Sequence, residues 1–433
     1  TVVGPPASRP MPSHTFPLRA AALLSLAACS FAAQAQLPPG DGPTTVTGGV
    51  LEPTPVRFDE SLLGQLRVPA GFKVSVFARD LHNVRWLAVA PNGDVYASRR
   101  EQGDVLWLRD SDGDGRADQQ KVVLQNAKYA HGLALRDGRL YLVTDKKLMV
   151  ADVQPDGTLS APRILADDLP DAGQHPNRTI AFGPDGWLYL TVGSTCNNCR
   201  ETNGESATML RMRPDGSGRE VVAQGLRNTI GFGWHPRTGV LYGFDHGSDF
   251  QGDDTPPEEL NAILPNKHYG WPYCWGDRQV TKFQVNEPPN TTKADFCPTT
   301  EVPLLQYTAH AAPIGFVFYT GEQFPQQYRG DAFVAFRGSW NRSQPSGYNV
   351  VRVRFDAEGR PTGTEEFAAG WLMSTPAAVA SQPGPAAAPA EQDKARRPAQ
   401  FGRLAGLAQA RDGALLLAED QNGVIYRISH GSR

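Results

Sequence analysis

Four arginines and three histidines stand at or just before the starts of recurring apolar strands: Arg85, His131, His175 with Arg178, Arg227, His310 and Arg403. Asn228 follows Arg227 directly. If those strands surround one axis, the cations converge as well, and like charges repel unless an anion sits among them. A guanidinium fork matches carboxylate or phosphate groups by two-point contact. The chemistry implied is a polyanionic, planar ligand on the axis, with a histidine beside it able to take a proton near neutral pH. Taken singly, an arginine at a strand start reads as a solvated or ion-paired surface residue, and a lone histidine as a packed or capping one. Convergence is what makes them a candidate site.

A second group of chemistry-bearing residues is acidic. Asp110-x-Asp112-x-Asp114-Gly115-x-x-Asp118 carries the first ligands of an EF-hand-like calcium loop, but position twelve is Lys121 where the loop needs a bidentate Glu. The competing reading is an Asp/Gly-rich surface hairpin. Apart from Cys29, four cysteines remain: Cys196, Cys199, Cys274 and Cys297. Proximity in sequence favours the pairs Cys196–Cys199 and Cys274–Cys297. Arg200 stands where haem attachment needs His, and no second ligand pair supports a zinc knuckle.

The elements that would position these residues are written as a repeat. Six segments share an apolar strand of small residues, a turn and a second β-rich strand, as in Leu87-Ala-Val-Ala-Pro-Asn-Gly-Asp-Val-Tyr96 and Ile180-Ala-Phe-Gly-Pro-Asp-Gly-Trp-Leu-Tyr189. The others start at Leu133, Ile230, Ile314 and Leu407. The first four starts lie 46 to 50 residues apart, and the next gaps of 84 and 93 leave room for one unit plus an insertion. Asn-Gly and Asp-Gly pairs supply the positive φ of tight hairpins. Units of about 40–50 residues with several strands are the period of propeller blades. The spacing therefore predicts an all-β fold, a six-bladed β-propeller with loop insertions over residues 65–430. The strand Phe72–Ala78 is expected to complete the last blade and remove both free sheet edges. Residues 250–310 form a long insertion tied by Cys274–Cys297, and residues 374–400 an Ala/Pro-rich loop.

The ends and the composition bound the setting. From Met11, one positive charge (Arg19) precedes an apolar run that ends in Ala33-Gln34-Ala35, the pattern of a cleaved secretion signal over residues 1–35. The ten residues ahead of Met11 read as over-extended translation or a cloning remnant. Leu26-Ala27-Ala28-Cys29 also resembles a bacterial lipobox, which would leave a lipid anchor at Cys29. Both routes place the protein in the periplasm or outside the cell, where an even cysteine count suits disulfides. Residues 36–64 are expected to be a linker. A net charge of −3 implies no nucleic-acid partner, and no other segment reads as a membrane span. No strand-linked Gly-x-Gly-x-x-Gly supports a nicotinamide cofactor.

Three stretches carry a family resemblance: Gln174-His175-Pro-Asn-Arg178-Thr-Ile-Ala-Phe-Gly-Pro-Asp-Gly186, Gly225-Leu-Arg227-Asn228-Thr229, and the run from Glu258 to Pro272. They resemble the quinoprotein sugar dehydrogenases, which include soluble glucose dehydrogenase. Ala309-His-Ala-Ala-Pro313 with Gly338-Ser-Trp-Asn-Arg342 is similar to the sorbosone/pyranose dehydrogenase branch. The resemblance implies a cofactor pair, pyrroloquinoline quinone (PQQ), a planar tricarboxylate, and Ca²⁺. It implies that His175 takes the sugar hydroxyl proton while hydride passes to the quinone, and that Arg227 stabilises the developing oxyanion. Asn228, Arg337 and Arg403 would hold the cofactor, with Arg178, His131 and Arg85 beside it. The family's Ca²⁺ ligands map to backbone carbonyls of Gly247 and Ser248. Departures exist: Gln174 replaces the Asp before the catalytic His, and the next Arg lies one residue closer. A Gln expected near the cofactor is replaced around Ala130-His131, and a second arginine near Arg403 is absent.

The function expected is an exported, PQQ-dependent oxidation of an aldose or keto-aldose, with a cytochrome or quinone as the unidentified electron acceptor. One alternative is a metal-dependent sugar lactonase on a similar propeller, which would want acidic and amide ligands on the axis. Another is a binding propeller whose axial residues only fill the channel.

Overall fold

The computed structural model describes residues 48–170, 173–373 and 397–431, all within the compact unit Pro38–Arg433. The signal segment, Cys29 and most of the 374–400 loop lie outside the described residues.

The described residues form six antiparallel sheets of at least four strands, in chain order. Sheet 1 runs Val84–Val89, Val95–Arg99, Asp104–Arg109, Gln119–Leu124. Sheet 2 runs Leu133–Arg136, Arg139–Val143, Leu148–Asp152, Arg163–Ala166. Sheet 3 runs Ile180–Phe182, Leu188–Val192, Thr208–Met212, Glu220–Gln224, and Lys267–His268 joins its edge in parallel. Sheet 4 runs Phe232–Trp234, Leu241–Asp245, Glu258–Ala262, Leu305–Tyr307. Sheet 5 runs Pro313–Phe318, Ala332–Phe336, Asn349–Phe355, Pro361–Ala368. Sheet 6 runs Leu404–Gln409, Leu415–Glu419, Val424–His430, and its fourth strand comes from the other end of the chain. Phe72–Ala78 pairs antiparallel with Val424–His430, Phe72 opposite His430, which is the closing device expected. The arrangement is all-β and propeller-like.

Small residues let the first strands of neighbouring sheets touch by their backbones. A Cβ at Gly132 would lie 2.8 Å from the Arg178 carbonyl of sheet 3, and one at Gly406 would lie 2.6 Å from the Arg85 carbonyl of sheet 1. Gly231 and Gly315 meet sheets 5 and 6 in the same way. The tyrosine of the repeat has its own task. Tyr96 donates to the Gly157 carbonyl of sheet 2 at 2.9 Å, and Tyr242 to the Gly359 carbonyl of sheet 5 at 2.8 Å. A buried phenol needs such a partner, so Tyr96 ties sheet 1 to sheet 2 and Tyr242 ties sheet 4 to sheet 5.

Both expected disulfides are present, Cys196–Cys199 and Cys274–Cys297. The insertion after Glu258–Ala262 crosses to the edge of sheet 3, forms a small hairpin and returns as Leu305–Tyr307. The stretch expected to be a linker is a packed strap from residue 48 onward. Thr54–Pro55 pairs with Ala399–Gln400, and Val56, Phe58, Leu62 and Leu63 pack against the core between sheets 5 and 6. Its apolar residues, too irregular in spacing to read as a strand, are what hold it down.

Candidate active site

Short links before the first strands of sheets 3 and 4 bring His175, Arg227 and Asn228 together. A Cβ at Gly193 would sit 2.6 Å from His175 Cβ and 2.8 Å from Asn228 Oδ1, so both side chains flank one point that only glycine leaves open. His175 Nδ1 lies 2.8 Å from the Ser194 carbonyl and 2.9 Å from its hydroxyl. A carbonyl can only accept, so Nδ1 carries the proton and Nε2 keeps a lone pair. Burial, followed by the charge of Arg227, pushes the imidazole well below its ordinary range. His175 is thus a neutral base whose tautomer is fixed by Ser194.

Arg227 is held from three sides. Nε donates to the Asn197 carbonyl at 2.8 Å, and Nη2 to Asn197 Oδ1 at 2.9 Å and Asp249 Oδ2 at 3.2 Å. Asp245, ending the second strand of sheet 4, receives the backbone N–H of Arg227 and of Asn228, each at 2.8 Å, and the Thr229 hydroxyl. Burial raises Asp245 to about 6, against those hydrogen bonds. His246 donates Nδ1–H to the Asn228 carbonyl at 2.7 Å, and burial lowers it to about 3. Asn228 Oδ1 is buried with no partner.

A second cluster holds Arg85, Arg337 and Arg403. Arg85 and Arg337 share one carboxylate, Asp420: Arg85 Nη1 donates to Oδ2, while Arg337 reaches Oδ2 through Nε and Oδ1 through Nη2, both at 3.1 Å. Burial opposes ionisation of Asp420, but Arg337 and Arg85 hold it down at about 2. Burial lowers Arg85 to about 10 despite Asp420, and lowers Arg403 to about 10 with help from Arg337. Arg403 Nη2 donates to the Gly338 carbonyl at 2.7 Å. Glu419, which caps the Arg403 backbone N–H at 2.9 Å, is pushed up to about 8 by burial. At neutral pH three guanidiniums thus face one ionised carboxylate. Of the cations expected on the axis, Arg85 and Arg403 come together here with Arg337, in a cluster partly neutralised from within.

His131 and Arg178 are fully buried. His131 Nδ1 lies 2.9 Å from the Arg178 carbonyl, its ring stacks obliquely on Trp86, and Nε2 is buried with no partner. Burial, then Arg85, holds it well below the usual histidine range. Arg178, expected to face the ligand, gives Nη1–H to the His175 carbonyl at 2.8 Å and Nη2–H to the Pro170 carbonyl. Its charge braces the backbone that carries His175. The charges of Arg227 and Arg85 both help to lower His246.

Gly247 and Ser248 follow His246. The Gly247 N–H donates to Glu258 Oε2 at 3.0 Å, and the Ser248 hydroxyl to Asn198 Oδ1 at 3.0 Å. His310, in left-handed backbone, bonds the Gly252 carbonyl at 2.8 Å and contacts Asn341, whose amide reaches Asp249.

The aspartate loop stands elsewhere. Asp110, Asp112 and Asp118 bring carboxylate oxygens within 4.8 Å of one another, while Asp114 caps the Arg116 N–H and Lys121 pairs with Asp156. The loop borders a charged groove of about 990 Å³ with the turns at Asn92 and Asp412. Those turns follow the first strands of sheets 1 and 6; Arg85 stands near the start of the one and Arg403 precedes the other, so the groove is at the far end of the strands from these arginines.

Asp420, Asn197 and Ser194 were not singled out from sequence. A signal existed for one of them: Asp420 directly follows the apolar second strand Leu415–Glu419 and is an acid with no reason to be buried unless it is paired.

Comparison with known proteins decides the family. Residues 66–431 match the sequence profile of the TrAA12-like family. The chain belongs to that family. It is 28% identical over 387 residues to an uncharacterised protein of Borreliella burgdorferi, covering 85% of this chain and 92% of that one. It is 23% identical over 352 residues to a pyrroloquinoline quinone-dependent pyranose dehydrogenase of Coprinopsis cinerea, covering 70% of this chain and 47% of that one. The chain therefore spans about half the length of that relative. The holo PQQ domain of the Coprinopsis cinerea enzyme superposes with a TM-score of 0.68 at 21% identity, covering 87% of this chain and 98% of that one. A calcium structure of a Trichoderma reesei carbohydrate-active enzyme of family AA12 gives 0.70 at 19% identity, covering 89% and 100%. Likeness at this identity establishes a shared fold.

Proposed function

We propose that this TrAA12-like protein is a PQQ- and Ca²⁺-dependent sugar dehydrogenase, a six-bladed propeller whose six sheets are its blades. The observation that carries the reading is His175, a neutral imidazole with Nδ1–H spent on Ser194, beside Arg227 and Asn228. A general base needs that state near pH 7.

The residues fit the cofactor. Buried polar atoms without partners include His131 Nε2, Asn228 Oδ1, Arg85 Nε and Arg403 Nε, which suits a ligand rich in carboxylates and ring heteroatoms. Arg85, Arg337 and Arg403 would hold the acidic groups, with Asn228 and His131 at the ring. Carbonyls of Gly247 and Ser248, close to the Glu258 carboxylate, suit a hard cation with oxygen ligands. Bound there, the quinone would accept hydride from the sugar carbon while Ca²⁺ polarised its oxygens.

The chain's own residues supply the rest. His175 Nε2 takes the hydroxyl proton of the sugar, and Arg227 stabilises negative charge on that oxygen. Trp340, 37% exposed, packs edge-on to Phe250 with ring centroids 5.7 Å apart. They adjoin Asn341 and Asp249, the residues that bridge to Arg227, and offer an apolar face to a sugar ring.

Export is supported by the segment 11–35 and by the two disulfides, which persist in oxidising compartments. Among the described residues no helix is long and apolar enough to cross a membrane. A calcium ion at Asp110, Asp112 and Asp118 would act apart from the chemistry. The test is reconstitution with PQQ and Ca²⁺. Dye reduction by aldoses supports this reading; lactone hydrolysis without quinone supports a lactonase, and neither activity a binding propeller.

A further inference from the structure

The tetrapeptide Cys196-Asn197-Asn198-Cys199 is closed on itself by its disulfide, and it touches Ser194 beside His175, Arg227, and the Ser248–Asp249 turn. The Cys196 carbonyl accepts the Ser194 hydroxyl at 2.7 Å, and Ser194 fixes the His175 tautomer. Asn197 gives Arg227 two acceptors, its carbonyl and Oδ1. The same side chain bonds Asp249 twice, accepting its N–H at 2.8 Å and donating Nδ2–H to its carbonyl at 3.1 Å. Asn198 accepts the Ser248 hydroxyl and donates to the Pro272 carbonyl at 3.0 Å. Ser194, Asn197 and Asn198 are buried, so these bonds have little water to compete with them.

Arg227 could not be so placed by its own strand. It precedes the first strand of sheet 4, and its side chain is long and flexible. Of the three hydrogen bonds that hold its guanidinium, two go to Asn197 and one to Asp249. A four-residue loop without regular hydrogen bonding has many conformations of its own, and closing it removes most of them.

We infer that the Cys196–Cys199 loop is the positioning device of the site, with Asn197 as the positioning residue for Arg227, and that turnover requires the bridge to be oxidised. The inference rests on the proposed roles of Arg227 and His175. Reduction by a dithiol such as dithiothreitol cleaves the S–S bond; two electrons and two protons pass to the sulfurs, giving two thiols, and the dithiol closes to its cyclic disulfide.

The test uses the full chain with Asn197→Ala, Asn197→Asp, Cys196→Ser/Cys199→Ser and, as a control bridge, Cys274→Ser/Cys297→Ser. The first readout needs no cofactor: labelling of arginines by phenylglyoxal, followed peptide by peptide. Arg227 should be slow in the native protein and at least about 10-fold faster in Asn197→Ala and the 196/199 variant, the loss of charge-assisted hydrogen bonds being of that order. Buried Arg178 and Arg352 should stay protected, which separates local release from unfolding. Asn197→Asp keeps the side-chain acceptor and should restore slow labelling. The second readout is turnover: kcat should fall about 10- to 100-fold in Asn197→Ala and the 196/199 variant with KM little changed, and remain near native in the 274/297 variant. Unchanged labelling of Arg227 in both Asn197→Ala and the 196/199 variant overturns the inference, as does native kcat in either. If the native protein oxidises no sugar, the functional reading fails, while the labelling result still decides whether the loop holds Arg227.

Discussion

Replacing Asp420 by Asn should be the most damaging single change to the arginine cluster, and the structure sets its size. Arg85 and Arg337 both rest on this carboxylate, Arg403 lies beside them, and Asp420 is 4% exposed. At the 3.1 Å separation of Arg337 from Asp420, Coulomb attraction is roughly 5 kcal/mol with an effective dielectric of 20. Desolvation offsets part of that for each ion, and breaking a buried pair by removing one partner costs about 3–5 kcal/mol. The apoprotein should therefore lose about 3–5 kcal/mol of stability, read from its urea unfolding curve. The effect has a pH signature. Asp420 is held at about 2 in the fold against a usual 3.8, so its contribution is fully present above 3.8 and is lost as pH falls through 2. The gap between native protein and Asp420→Asn should be constant from pH 5 to 8 and shrink only on strong acidification. Removing the internal anion also leaves the ring more cationic, so PQQ should raise the unfolding midpoint of the variant more than that of the native protein. A loss under about 1 kcal/mol, without a larger quinone-induced shift, would refute the shared-carboxylate reasoning.

Other expectations follow from the same geometry. The imidazole of His175 is held well below its usual 6.5, and the proposed general base needs its neutral form. Activity should accordingly stay flat as pH falls through 7 and 6, failing only further down; an acid limb at 6.5 or above contradicts this. His175→Ala should lose about 10²–10⁴-fold in kcat while binding PQQ normally, measured by absorbance titration. Trp340→Ala should raise KM for sugars with kcat nearly unchanged, whereas Trp340→Phe should keep most of the affinity; equal KM values in all three proteins would remove the aromatic face from the site. Gly406→Ala should destabilise by about 1–3 kcal/mol, because its Cβ would press on the Arg85 carbonyl, and native stability would show that the first strands have slack.

The fold was legible where it depends on repetition. Apolar strand, Asp-Gly or Asn-Gly turn and Leu-Tyr recur along the chain, and at Tyr96 and Tyr242 the recurring tyrosine joins one sheet to the next. His175 and Arg227 drew attention because they lie in the short links before repeated strands, and their roles were read from family resemblance. Asn197 and Asp420 were not, since their partners lie 30 and 335 residues away and only the closed ring brings them together. The strap at 48–64 hid for a related reason: a segment that packs as an edge needs no periodicity of its own.

One measurement bears most directly on the central claim: titration of the purified protein with PQQ in the presence of Ca²⁺, followed by addition of a panel of aldoses and keto-aldoses with an artificial electron acceptor. Stoichiometric quinone binding and sugar-dependent dye reduction, abolished in His175→Ala with binding intact, is the predicted result. Absence of quinone binding, or sugar oxidation that survives His175→Ala, would contradict it.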